Sequence, residues 1–286
     1  MVPARNKLSL GLALSIGASV AGALVLFLGR KKIFAENLEI YNELYPQQVV
    51  NSSVKFLSEK PDSYFSKWDY NWDKKNEHYE KSKLKGHRIN KNVTRSIYLV
   101  RHGQYYQDRK DLKLSEKGIQ QAKLTGQALR RLPFHFDRVY CSSLTRAKET
   151  CNIILKELCY FDERDVNYSD LFCEGFPVEP EPSPSAMLCD QSEYFVEGAR
   201  LEAAFRRLFR RPSPDQQETV NELLVAHGNV IRFMVCRALQ LPPEMWLRLA
   251  ISNCAVTRID IAKSGRVTLR FLGEIGHLDH QLHSYN

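Results

Sequence analysis

From Leu8 to Leu28 the chain runs for 21 residues without a charged side chain or a proline. At about 1.5 Å of rise per residue, such a helix covers the roughly 30 Å hydrocarbon layer of a bilayer. Arg5 and Lys7 flank one end, and Arg30, Lys31 and Lys32 the other. The pattern predicts a single N-terminal transmembrane helix within residues 1–32. It reads as a signal anchor rather than a cleaved leader, because the run is long and no A-x-A site follows. Phe34, Leu38, Tyr41 and Tyr45 then recur at helical spacing, as in a short juxtamembrane helix. Residues 33–93 are otherwise polar, and 74–91 carry seven basic and two acidic side chains, the composition of a solvated linker.

From residue 94 the pattern alternates between short apolar runs and amphipathic stretches. Ser96–Val100 reads as a buried strand, followed by a helix over 115–132 with Ile119, Ala122 and Leu129 on one stripe. Arg138–Ser142 is a second strand, with Ser143 a candidate cap for the next helix. The proline-rich 175–186 excludes regular helix or central strand. A helix over about 190–210 follows, then a strand at Leu223–Ala226 running into a helix over 229–239. Two last strands, 255–262 and 267–272, join at Ser264-Gly265. Such alternation predicts an α/β domain over 94–286, a three-layer fold with a mostly parallel central sheet and helices on both faces.

Charge and cysteine content narrow the class. Residues 1–93 hold 15 basic and 9 acidic side chains, whereas 94–286 hold 26 and 24. The folded part is nearly balanced, which argues against a nucleic-acid partner. Arg206, Arg207, Arg210 and Arg211 read as a solvated helix end. The seven cysteines are scattered with no C-x-x-C, so they read as free thiols acting as small hydrophobes. Trp68-Asp69-Tyr70-Asn71-Trp72-Asp73 holds two of the three tryptophans, inside the charged linker. Such side chains are costly to leave in water, so the segment either docks on a partner or covers an apolar groove on its own domain.

Three strand ends carry the chemistry. In α/β sheets ligands bind beyond the carboxyl ends of the strands. Strand one ends in Arg101-His102-Gly103, strand two in Ser142-Ser143 with Arg146 one turn into the next helix, and the third in His227-Gly228-Asn229. Helix starts at these ends add amide donors, and a glycine after each histidine allows close approach of a ligand. Two arginines and two histidines converging there suit a tetrahedral dianion such as phosphate.

These motifs, with Leu114-Ser115-x-x-Gly118-x-x-Gln121-Ala122 and Ser142-Ser143-x-x-Arg146-Ala147-x-x-Thr150, resemble the histidine phosphatases, the phosphoglycerate-mutase-like fold. The resemblance covers about residues 94–275. Through the segment Trp68 to Asp73, Gln104-Tyr105, Glu174-Gly175 and the run from Ala226 to Leu249 it also resembles the membrane-anchored mitochondrial serine/threonine protein phosphatases of that superfamily. It implies His102 as a nucleophile that takes up the phosphoryl group. It implies Arg101, Arg146 and His227 as phosphate-binding groups, His227 sharing in catalysis, and Glu174 as general acid. Residues alone would not have distinguished Glu174 from Glu179 or Glu181. The resemblance further implies no metal and no cofactor, and phosphoserine and phosphothreonine proteins, stress-signalling kinases among them, as substrates. Multimers would form through Trp68, Asp69, Asn71, Trp72 and Asp73. The location implied is a mitochondrial membrane, the outer one, crossed once.

Three departures stand out. The mutases carry E-S-x-x-N after R-H-G, where this chain has Gln104-Tyr105-Tyr106, so mutase activity is not implied. Cys173 precedes the acid where close relatives have Arg. The linker lacks the E-S-G-E type motif with which some members bind a ubiquitin-ligase adaptor. Two other readings remain, a small-molecule phosphomonoesterase and a non-catalytic membrane scaffold working through the tryptophan segment.

Overall fold

The computed structural model describes residues 68–84, 92–160, 165–184 and 189–285. The predicted membrane span 8–28 and the juxtamembrane helix lie outside them. Among the described residues no helix is long and apolar enough to cross a membrane.

The elements are α1 (Asn76–Leu84), β1 (Thr94–Arg101), α2 (Glu116–Arg130), β2 (Arg138–Ser142), α3 (Thr145–Leu158), β3 (Val166–Ser169), α4 (Gln191–Leu208), β4 (Val220–Ala226), α5 (Gly228–Ala238), β5 (Val256–Ala262) and β6 (Val267–Glu274). They form one sheet of order β3-β2-β4-β1-β5-β6. Strands β3, β2, β4 and β1 are parallel, while β5 runs antiparallel to β1 and to β6. The sheet is therefore mixed, and the parallel rule holds for its first four strands. The tight Ser264-Gly265 turn reverses the chain directly, with Gly265 at φ +84° and its N–H donating to Ala262 O at 2.9 Å. So short a connection can only make an antiparallel pair.

Alternate residues of each strand feed opposite layers. Ile97, Leu99, Leu224 and Ile259 pack with Leu201 and Phe205 of α4 and Val230 and Met234 of α5. Tyr98, Val100, Val139 and Val225 pack with Leu129 of α2 and Ile154, Leu155 and Leu158 of α3. Helix α2 starts as its sequence directs, with Ser115 Oγ accepting from Gly118 N–H at 3.1 Å.

Three local expectations are corrected, and one strand is added. Ser143 is not a helix cap: α3 begins after Leu144 with no side-chain cap, and the Ser143 hydroxyl bonds Asp170 and Cys173 instead. Strand β3 lacks an apolar run, because this short strand on the sheet edge buries only Val166. Part of the presumed linker is helix α1, whose Glu77, His78, Glu80 and Lys81 are exposed. Arg211 is not part of a solvated helix end; its side chain is 4% exposed.

Arg211 is instead the seat of the tryptophan segment. Its guanidinium pairs with Asp73 at 2.7 Å and donates to Tyr70 O at 2.6 Å and Asn76 Oδ1 at 2.9 Å. Trp72 Nε1–H donates to Gly265 O at 2.7 Å, and its ring lies 6.2 Å from that of Phe205. Asp69 N–H reaches Gln240 Oε1 at 2.8 Å. Asn71 Oδ1 accepts from Asn76 N–H at 3.2 Å, while Trp68 is half-buried. In the single chain, then, the segment covers an apolar face of its own domain.

Removing one partner from a buried ion pair typically costs about 3–5 kcal/mol. The Asp73→Ala substitution is expected to lower unfolding free energy by about 3 kcal/mol in urea. A loss under about 0.5 kcal/mol, the level of a surface pair, would contradict this account.

Candidate active site

Strand register brings the motif ends together. Arg101 pairs with Ala226, so His102 and His227 leave adjacent parallel strands side by side. His102 N–H donates to Ala226 O at 2.9 Å, and the two imidazole centres are 5.0 Å apart. Glu174 follows the short helical turn Asp170–Phe172. The ligating atoms of His102, Glu174 and His227 all lie within 4.8 Å of one another. Such a trio has the spacing of a metal-ligand set, but the guanidinium charges of Arg101 and Arg146 acting on it favour an anion over a cation.

The orientation of His102 follows from its partners. Nδ1 lies 2.8 Å from Gly103 O, which can only accept, so Nδ1 carries the proton. Nε2 then holds a lone pair and accepts from Arg146 Nε–H at 3.1 Å. Thr150 ties the two loops together, accepting from Gly103 N–H at 3.0 Å and donating to Arg146 O at 2.7 Å. Arg101 donates to Ile251 O at 2.7 Å and Tyr285 O at 3.1 Å. His227 Nε2 lies 2.7 Å from Ser142 Oγ, whose hydroxyl can serve either tautomer.

The sequence suggested that the glycine after His102 lets a ligand approach, but Gly103 faces Gly118 of α2 instead. A Cβ there would lie 2.7 Å from Gly118 O, and a Cβ on Gly118 would lie 2.0 Å from Gln104 O. Both positions let the first turn of α2 close against the loop that follows His102.

Electrostatics set the protonation states. Burial, then Arg146 and Arg101, holds His102 well below the usual imidazole range. His227 is lowered in the same way, by burial, the His102 ring, Arg146 and Arg101. Burial raises the Glu174 carboxyl, and Arg146 and Arg101 oppose that rise. Glu174 as a whole is half-buried, but its Oε1 is enclosed. Among the described residues Glu174 Oε1, His227 Nδ1 and Arg232 Nε are buried polar atoms without a hydrogen-bond partner. Atoms of the same kind on Trp68, Arg95 and Tyr98 lie elsewhere, so it is the grouping of these three beside His102 that suits a polar ligand.

All of Arg101, His102, Arg146, Glu174 and His227 thus belong to one site, whereas the 68–73 segment sits at the Gly265 and Arg211 face. Sequence reading missed two arginines. Arg232, one turn into α5, acts on Glu174 and Arg101 through its charge. Its signal was its place one turn after His227, matching Arg146 after Ser142. Arg200 on α4 donates to Leu171 O at 2.9 Å, Cys173 O at 2.8 Å and Glu174 O at 3.2 Å, and so holds the loop of the acid. Nothing local in the sequence announces that contact. Cys173 turns towards Ser143 Oγ, 3.1 Å away.

A family model for the histidine phosphatase superfamily (branch 1) matches residues 97–170 and 193–272, more than half of the chain. The chain belongs to this superfamily. The matched stretches contain Arg101, His102, Arg146 and His227 and exclude Glu174. Among curated relatives, the mitochondrial serine/threonine-protein phosphatase Pgam5 of Drosophila willistoni is 41% identical over 237 residues, covering 77% of this chain and 81% of that one. Its namesake from Caenorhabditis briggsae is 41% identical over 223 residues, covering 74% and 78%. A solved phosphoglycerate mutase from Plasmodium falciparum is 31% identical with a TM-score of 0.47, covering 66% of this chain and 94% of that one.

Because both histidines are held neutral, the unfolded chain binds more protons than the native one below about pH 6.5. Their contribution makes stability fall as pH drops through that value. Glu174, raised above its ordinary value, acts with the opposite sign but as one group against two. The urea midpoint is expected to fall between pH 7.5 and 5.5, and to fall less in His227→Asn. An equal slope in that variant would contradict the neutral assignment.

Proposed function

We propose that the chain is a protein serine/threonine phosphatase working through a phosphohistidine on His102. The observation that carries this reading is the neutral His102, its Nε2 lone pair beside Arg146 among the converging Arg101, His227 and Glu174. The names of its curated relatives support the same activity.

A substrate phosphoryl group displaces the Arg146 contact with His102 and takes hydrogen bonds from Arg101, Arg146 and His227. His102 Nε2 forms a bond to phosphorus as the ester P–O bond breaks. Protonated Glu174 gives its proton to the leaving alkoxide of the serine or threonine. The arginines stabilise charge on the equatorial oxygens. Water then enters where the alcohol left. Glu174, now a carboxylate, takes its proton as the oxygen attacks phosphorus. The P–N bond breaks, its electron pair returns to Nε2, and inorganic phosphate leaves.

The apolar run 8–28 and the relatives' names support a mitochondrial membrane location, which we place at the outer membrane with one crossing. If the 68–73 segment of one copy took the same seat on a second copy, chains would be joined into multimers. Sedimentation of Trp72→Ala tests this, with a smaller assembly expected and an unchanged one opposing it.

His102→Ala is expected to lower phosphothreonine-peptide turnover by at least about 10⁴-fold. Residual activity within tenfold of wild type would overturn the nucleophile. Glu174→Gln discriminates the acid. A nitrophenyl leaving group needs no proton, whereas an alkoxide does. The first-step penalty should be about 10²-fold or more on the phosphopeptide and much smaller on nitrophenyl phosphate. Equal penalties would remove Glu174 from the proton-donor role. Turnover of small phosphate esters but of no phosphopeptide would favour the small-molecule reading.

A further inference from the structure

The segment after β6 returns to the back of the active site. Leu278 packs with Ala122 of α2 and Cys254, and His277 Nε2 lies 2.8 Å from Thr125 Oγ1. A short helical turn, His280–Leu282, leads on to Ser284 and Tyr285.

Two fully buried amides join this segment to the nucleophile loop. Gln121 Oε1 accepts from Gln104 N–H at 2.8 Å, while its Nε2 donates to Leu282 O at 2.6 Å and Ser284 Oγ at 2.9 Å. Asn253 Nδ2 donates to His102 O at 3.2 Å, and its backbone N–H donates to Ser284 O at 2.9 Å. Ser284 Oγ closes the circuit by donating to Asn253 Oδ1 at 2.8 Å. Each partner's chemistry dictates the orientation of both amides, since a backbone N–H needs an oxygen and a carbonyl needs a donor. Arg101 joins the same segment through Tyr285 O at 3.1 Å. The Tyr285 side chain itself is exposed, so the segment engages the site there through its backbone.

We infer that residues 282–285 are a positioning element of the active site. Through Gln121, Asn253 and Ser284 they set the backbone from His102 to Gln104, and through the Tyr285 carbonyl they aim Arg101. The inference rests on the proposed role of His102, because the network touches the loop and not the substrate. Gln121, Asn253 and Ser284 are positioning residues in this scheme. A misplacement of about 1 Å at a reacting group can cost about 10²-fold in rate, so control of the loop is control of turnover.

The test uses the purified full chain with Ser284→Ala, Ser284→Thr and a version ending at Gln281. Ser284→Ala is expected to lower kcat about tenfold with KM within about twofold, because the lost order matters at the transition state. Ser284→Thr keeps the hydroxyl and restores the rate. The shortened chain should lose about 10²-fold. In that chain the acid limb of kcat/KM should move to higher pH. A displaced Arg101 would no longer help Arg146 suppress the charge on His102, which His227 and Glu174 also face. The melting temperature of Ser284→Ala should stay within about 2 °C of wild type.

A kcat within twofold in both Ser284→Ala and the shortened chain would overturn the inference. So would a loss that tracks the unfolded fraction and is not restored by threonine. Retained turnover in His102→Ala would instead overturn the proposed mechanism on which the inference stands.

Discussion

The site depends on one electrostatic constraint, which is that positive charge is concentrated in a dehydrated pocket. Arg101 and Arg146 bear directly on two buried imidazoles, and each guanidinium makes a further proton there more costly. Both histidines are therefore bases rather than cations. The positive charge of these guanidiniums, with the buried Arg232 Nε that has no hydrogen-bond partner, is complementary to an incoming phosphoryl group. The same field works against the burial that raises the Glu174 carboxyl above its ordinary value.

The fold supplies the pocket by sheet order. Strands β1 and β4 are neighbours and parallel, so their histidines emerge together although 125 positions separate them in the chain. Strand β2 on the far side of β4 adds Ser142 and, through α3, Arg146. The antiparallel β5 brings its leading loop, with Ile251 and Asn253, against the opposite side of the His102 loop. Glu174 comes from outside the sheet, on a loop gripped by Arg200 of α4. Strand ends thus present the arginines and histidines, while the Glu174 carboxyl hangs on a separately anchored loop.

Much of this was legible in the residues. Helix α2 and strand β2 fell close to where periodicity put them, because that signal acts within a few residues, although Ile119 of the expected stripe faces solvent. Arg101, His102, Arg146 and His227 could be read from their places at strand ends, since a parallel strand followed by a helix directs its last residues to one edge. Glu174 required the family resemblance. Three carboxylates in one proline-rich stretch look alike until the burial of one of them is known. The missed features share a cause. Strand β1 begins with polar Thr94-Arg95-Ser96, yet Arg95 is buried against Glu222 of β4, and no local pattern reveals that pairing. Arg211 looked like a solvated helix end for the same reason, its carboxylate partner lying far away in sequence at Asp73.

By itself the sequence determined the alternation of strands and helices, the strand-end histidines and arginines, and the family to which they belong. Each of these depends on local periodicity or on motifs a few residues long. Only the tertiary structure decided the direction of the last two strands, the seat of Trp72 on its own domain and the tautomer of His102. It alone placed Arg200 and Arg232 at the site and built the bridge from Ser284 to the His102 loop. These depend on distances between residues remote in the chain. Burial there turns an ordinary polar side chain into one that must find a partner, and the partner is chosen by packing.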